Sequence, residues 1–125
     1  MIVGLGIDVV ERARIAQVFA RFGDRFVARI LTGEERARIA GRDTVAALAK
    51  YFCAKEAAGK ALGTGIMGPV RWHHIVVTHR ASGRPELRFD GPAADRFNAI
   101  HGRRAHLSIT DERGIAAAVV VLEGE

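Results

Sequence analysis

The sequence predicts an α+β fold, a single domain in which a mostly antiparallel sheet packs against one long helix. Three observations carry that prediction. The chain opens on a short apolar run, IVGLGIDVV at residues 2–10, whose β-branched residues and glycines suit a buried strand better than a helix. A block with helical periodicity follows, and the second half breaks into short β-branched segments divided by turn residues. At 125 residues the chain suffices for one domain that buries roughly two-thirds of its extended-chain surface.

Each element has its own signal. Ile15, Val18, Phe19 and Phe22 recur at helical spacing over residues 12–22, and Gly23 stops that helix. Asp24 can cap a short helix through Phe26 to Ile30. Thr32-Gly33-Glu34-Glu35 matches a capping box for a helix ending near Gly41. Asp43 can cap the longest stretch, residues 44–62, which is rich in Ala and Leu and ends at Gly63. His74 to His79 reads as a strand, Ser82-Gly83 as a turn and Glu86 to Phe89 as the partner strand. Residues 93–101 form a short helix after Pro92. Ala105 to Thr110, then Asp-Glu-Arg-Gly, then Ile115 to Leu122 make a closing hairpin.

Composition excludes several classes. With 49% hydrophobic and 26% charged residues, the chain is neither disordered nor collagen-like. Its longest apolar run, Ile115 to Leu122, is far short of the roughly 20 residues of a membrane span. The N-terminus lacks a basic n-region and carries Asp8 inside its apolar run, so it does not read as a signal peptide. The single cysteine, Cys53, rules out an intrachain disulfide and fits a reducing compartment. A soluble cytoplasmic protein is expected.

The net charge of +5 is not evenly spread. Between Arg12 and Arg42 eight arginines face only Asp24, Glu34 and Glu35, while the rest of the chain balances. A solvated helix face accounts for such a run, but a concentrated positive field also attracts nucleic acid, acidic proteins or phosphorylated ligands. Lysine is more selective still: Lys50, Lys55 and Lys60 are the only three, against sixteen arginines. That window is where a compact ammonium, rather than a planar fork, is retained. A nucleic-acid module is disfavoured, because no recognition motif is present and the aromatic residues are mostly Phe on apolar faces.

Four familiar motifs fail. Gly63-Thr64-Gly65-Ile66-Met67-Gly68 satisfies G-x-G-x-x-G but follows a helix and precedes a strand, the reverse of the dinucleotide-binding context. Gly59-Lys60 resembles the end of a P-loop, yet Ala54 and Ala61 replace its first Gly and its Ser or Thr. His73, His74 and His79 have no partner at a zinc spacing. Cys53, on an Ala-rich helix, reads as a small packed hydrophobe rather than a nucleophile.

Three features survive. Asp8 interrupts an apolar strand, where a carboxylate needs a hydrogen bond, an ion pair or a cation. Glu56 and Lys60 stand four apart on one helix face, a spacing that alone often means a surface salt bridge. Gly63-Thr64-Gly65 follows at the end of the helix, a turn whose backbone amides could approach phosphate. Two carboxylates, an ammonium and such a loop suit a magnesium ion and phosphoryl-type transfer.

These residues belong to a recognisable pattern. Gly6-Ile7-Asp8-Val9-Val10-Glu11 with Arg14-Ile15, then Lys55-Glu56-Ala57-Ala58-Gly59-Lys60-Ala61-Leu62-Gly63-Thr64-Gly65-Ile66, resembles the holo-[acyl-carrier-protein] synthases. These are the short single-domain type of 4'-phosphopantetheinyl transferase. The resemblance extends through Arg29-Ile30-Leu31-Thr32 with Glu35, Trp72, Gly83-Arg84-Pro85-Glu86-Leu87 and His106-Leu107-Ser108-Ile109-Thr110-Asp111. It departs at Tyr51, where the family usually has an arginine, with Lys50 adjacent.

The resemblance implies transfer of 4'-phosphopantetheine from coenzyme A to a serine of acyl carrier protein, releasing adenosine 3',5'-bisphosphate in support of fatty acid biosynthesis. It implies Asp8 and Glu56 as magnesium ligands. Glu56, directly or through a metal-bound water, would accept the serine proton, and Lys60 would stabilise or protonate the leaving phosphate. Gly63, Thr64, Gly65, His106 and Ser108 would line the coenzyme pocket. Arg14, Arg21 and Arg25 would form a basic stripe for the acidic carrier, and the assembly would be a homotrimer with active sites between subunits. A catalytically silent coenzyme-A-binding or basic interaction module of the same fold is the alternative, against which Asp8, Glu56 and Lys60 weigh.

Overall fold

A computed structural model describes all residues from Met1 to Glu125. Strand β1 (Ile2–Glu11) leads into four helices, α1 (Arg12–Phe22), α2 (Asp24–Ile30), α3 (Gly33–Ile39) and α4 (Thr44–Leu62). A single 3₁₀ turn at Trp72–His74 precedes β2 (Ile75–His79), β3 (Pro85–Phe89), α5 (Gly91–Ala99), β4 (Gly102–Glu112) and β5 (Ile115–Gly124). All pairing is antiparallel, in a three-stranded sheet of order β1-β5-β4 and a separate β2-β3 hairpin. No helix is long and apolar enough to cross a membrane.

Local chemistry sets most boundaries. Thr32 and Glu35 close a reciprocal capping box at the head of α3, and Asp43 accepts from the Ala46 amide at the head of α4. Gly63, at φ 80°, ends α4 in the left-handed conformation. The final hairpin is longer than expected. Its strands run through Asp111 and Glu112, and the turn is only Arg113-Gly114, both with positive φ, as a tight primed turn requires.

α4 is the centre of the core. One face of the large sheet packs under it, using Val10, Ala116, Ala118, Val120 and Leu122, and Cys53, Ala57 and Ala61 meet it from the helix. Gly4 and Gly6 share this face, and their missing side chains let α4 lie directly on β1.

The expectation that β1 is a buried strand holds on one face only. Ile2, Leu5, Ile7 and Val9 are all more than half exposed, because no second layer covers the far side of the sheet within one chain. A run apolar on both faces is compatible with burial against a helix on one side and against another molecule on the other.

Candidate active site

The contact between β1 and α4 assembles the site. Asp8 follows Gly6 by two residues and faces the helix, where Glu56 and Lys60 project one turn apart. The Lys60 ammonium donates to the Ile7 carbonyl at 2.9 Å and to Asp8 Oδ1 at 3.2 Å, leaving its third N–H free. Glu56 Oε1 accepts the indole N–H of Trp72 at 3.2 Å. Burial pushes the Glu56 carboxyl above its usual range, and the neighbouring Asp8 adds to that shift while Trp72 and Lys60 oppose it. Asp8, Glu56 and Lys60 are thus brought together, as their sequence pattern suggested.

Behind them lies a buried ion pair. Lys55 is fully buried and spends all three N–H groups, on Glu35 Oε1 at 2.6 Å, the Ile30 carbonyl at 2.7 Å and the Trp72 carbonyl at 3.1 Å. Glu35 also accepts from the Thr32 and Val77 amides, so both charges are fully hydrogen-bonded. Cys53, beneath the site, donates to the Ala116 carbonyl, and burial holds its thiol up at about 12, so it stays protonated and unreactive.

The Gly63–Gly65 turn does not serve as read from sequence. Its three amides are already bonded to the end of α4, Gly63 to Lys60 and Thr64 and Gly65 to Gly59, so none is free for phosphate. They also lie at the C-terminal, partially negative end of the helix. Cations supply the positive field instead. Arg96 donates to the Leu62 carbonyl at 2.7 Å with its guanidinium against Gly63, on the same helix end as Lys60.

His106 and Ser108 lie elsewhere. They alternate on β4 with Ala105, Leu107 and Ile109, so they sit on the sheet face opposite α4, where His106 is bonded to Glu123 at 2.7 Å. One chain does not bring them to Lys60 or to the glycine turn.

The basic segment also divides. α1 ends at Gly23, whose backbone (φ 57°, ψ −131°) breaks the helix, so a continuous Arg14-Arg21-Arg25 stripe does not form. Arg14 and Arg21 remain on one face of α1. Arg25, on α2, lines an apolar groove of about 530 Å³ with Val18, Phe22, Phe26, Phe52 and Trp72. Of the eight arginines only Arg12 and Arg36 pair with carboxylates, Asp43 and Asp24. Arg38 and Arg42 instead line a second cavity of about 480 Å³ with Lys50, Tyr51, His79 and Pro85, a cluster that sequence spacing alone did not reveal. There Tyr51 meets His79 edge-on at 6.3 Å, and burial together with Arg38, Arg42 and Lys50 lowers the proton affinity of His79.

The histidines do not form a metal site. His73 bonds the Ala28 carbonyl, His74 accepts from the Arg71 amide, and His79 faces the cavity. No three His, Cys, Asp or Glu side chains converge. Asp8 and Glu56 nonetheless fit a hard cation that completes its shell from substrate and water, since Lys60 and Trp72 each occupy one oxygen of their carboxylate.

Comparison with known proteins identifies the family and the fold. Residues 4–120 match the family model of the 4'-phosphopantetheinyl transferase superfamily. The holo-[acyl-carrier-protein] synthase of Solidesulfovibrio magneticus is 52% identical over 124 residues, 99% of this chain and 100% of its own. The crystal structure of the Neisseria meningitidis synthase superposes with a TM-score of 0.89 at 43% identity, covering 98% of this chain and 99% of that one. The Bacillus anthracis synthase, crystallised in complex with CoA (3',5'-ADP), does so with a TM-score of 0.83 at 37% identity, covering 100% and 99%. A family model matched over residues 4–120, with relatives of 52% and 43% identity along nearly the whole chain, places the protein in the 4'-phosphopantetheinyl transferase superfamily, among its holo-[acyl-carrier-protein] synthases.

Proposed function

We propose that the chain transfers the 4'-phosphopantetheine group from coenzyme A to a serine hydroxyl of acyl carrier protein and releases adenosine 3',5'-bisphosphate. The convergence of Asp8, Glu56 and Lys60 at the β1–α4 contact carries this reading. Asp8 and Glu56 would hold magnesium, since Lys60 and Trp72 each engage only one oxygen of their carboxylates. When bound, the ion neutralises charge on the pyrophosphate and orients it for in-line displacement.

The residues divide the remaining work. Glu56 takes the serine proton as the hydroxyl oxygen bonds to phosphorus, and burial suits its carboxylate to that task. The phosphorus–oxygen bond to the adenosine bisphosphate breaks on the opposite side. Lys60 turns its third N–H toward that leaving phosphate while Asp8 and the Ile7 carbonyl fix the ammonium. Gly63, Thr64 and Gly65 follow Lys60 at the end of α4 and would border the coenzyme there, with the Arg96 guanidinium against Gly63.

The nucleotide end of coenzyme A suits the cavity of Arg38, Arg42 and Lys50, where Lys50 stands beside Tyr51. Tyr51 and Lys60 are nine positions apart on α4, about half a turn out of phase, so the cavity and the Lys60 ammonium lie on different faces of the helix. A homotrimer with active sites between subunits resolves this. The exposed Leu5-Ile7-Val9 face supplies the contact surface, and His106 and Ser108 lie on that same face, directed toward a neighbouring subunit. Arg14, Arg21 and Arg25, none paired with a carboxylate, steer the acidic carrier to the groove that ends at Trp72. The cytoplasm, where Cys53 stays reduced, is the expected location.

The test is incubation with coenzyme A, magnesium and apo-acyl carrier protein, followed by quantification of the nucleotide product. One equivalent of adenosine 3',5'-bisphosphate per carrier modified, lost on magnesium chelation, is expected. Absence of that product with verified carrier and magnesium would refute the reading.

A further inference from the structure

We propose that Trp72 is a positioning residue for Glu56, held in place by the buried Lys55–Glu35 pair; the inference rests on the transfer reading above. Two consecutive residues of α4 grip Trp72 at its two ends. Lys55 donates to its backbone carbonyl at 3.1 Å, and Glu56 accepts its indole N–H at 3.2 Å. No other side chain hydrogen-bonds Glu56, so the indole is the one protein donor that orients its carboxylate before any ion binds.

The support behind the indole is rigid. Lys55 ties the Trp72 carbonyl to the end of α2 through Ile30 and to Glu35 on α3, and Glu35 continues the tie to β2 through the Val77 amide. The ring itself lies against Phe52 at 6.4 Å, with the Arg29 guanidinium 5.7 Å from its centroid. Four elements therefore fix one donor, and that donor fixes one carboxylate oxygen. A general base misplaced by a fraction of an ångström loses rate without losing substrate affinity. The indole thus acts on turnover rather than on binding.

Trp72 is the only tryptophan, so global replacement alters this residue alone. Biosynthetic exchange of tryptophan for 3-benzothienylalanine keeps the ring shape and removes the N–H. Expected is a fall of about tenfold in kcat, the scale of one lost charge-assisted hydrogen bond. KM for coenzyme A and for carrier, and the melting temperature, stay unchanged. In the unmodified protein the sole indole N–H resonance should move upfield and exchange faster in Glu56→Ala, a readout independent of activity. An unchanged kcat in the sulfur analogue, or an indole resonance indifferent to Glu56→Ala, overturns the proposal. A wild-type chain that transfers nothing overturns the transfer reading itself, and is told apart by the indole resonance still responding to Glu56→Ala.

Discussion

Gly6 lies so close beneath Ala57 that a Cβ placed on it would stand 1.9 Å from the Ala57 carbonyl oxygen. Gly4 meets Ala61 in the same way at 2.2 Å. The glycines of β1 are therefore the reason that Asp8 and Glu56, each one or two residues from this contact, share a site. Gly6→Ala forces β1 and α4 apart. A loss of roughly 1–3 kcal/mol in stability is expected, the usual cost of overpacking. Turnover should fall much further than stability, because Lys60 loses its bond to Asp8. Denaturant titration and steady-state transfer on one preparation check both. Full activity in Gly6→Ala would refute the role assigned to this contact.

The caps, the long helix and the Asp8, Glu56 and Lys60 set were legible in the sequence because they depend on near neighbours. Thr32 and Glu35 are three apart, Glu56 and Lys60 four, and Asp8 stands out as the one charge inside an apolar strand. What escaped depends on distant partners. Trp72 meets Glu56 across sixteen residues, and Arg38, Arg42, Lys50 and His79 gather only when α3, α4 and β2 pack. The glycine turn misled for a different reason: its composition permits phosphate binding, but its amides are consumed in closing α4. Likewise an apolar strand does not disclose whether its second face is covered by its own chain or by another.

The raised Glu56 carboxyl predicts a stability effect with a definite sign. An acid whose folded pKa lies above its unfolded value binds its proton more tightly when folded. Its ionisation at neutral pH therefore costs stability, and the cost vanishes as pH falls through the folded value. In metal-free protein, Glu56→Gln should melt above the wild type at pH 7. The gap should close as pH drops below the ordinary carboxyl value of 4.5. Scanning calorimetry with chelator present measures it, and a wild type that melts higher at neutral pH would contradict the assignment.

The two basic clusters should separate kinetically. Arg14→Glu or Arg25→Glu is expected to raise KM for the carrier several-fold and to flatten its salt dependence, leaving KM for coenzyme A unchanged. Arg42→Glu should do the reverse, since it lines the cavity assigned to the nucleotide. Equal effects on both substrates from either variant would mean that the clusters do not serve different ligands.

Ile7 is 62% exposed on the outer face of the sheet, so an acidic residue there disturbs little within one chain. If that face joins subunits, Ile7→Asp converts a trimer into folded monomers and abolishes transfer. Sedimentation and circular dichroism decide the matter together: a folded monomeric wild type, or an active monomeric variant, would rule out a site shared between subunits.

The central claim is that Asp8, Glu56 and Lys60 carry out phosphopantetheine transfer, and intact-mass spectrometry of the carrier tests it most directly. Apo-acyl carrier protein incubated with the wild-type chain, coenzyme A and magnesium should gain the mass of one phosphopantetheine. With Asp8→Ala or Glu56→Ala, each verified as folded, the carrier should stay at its apo mass. A carrier left unmodified by the wild type, or modified as readily by either variant, would contradict the account.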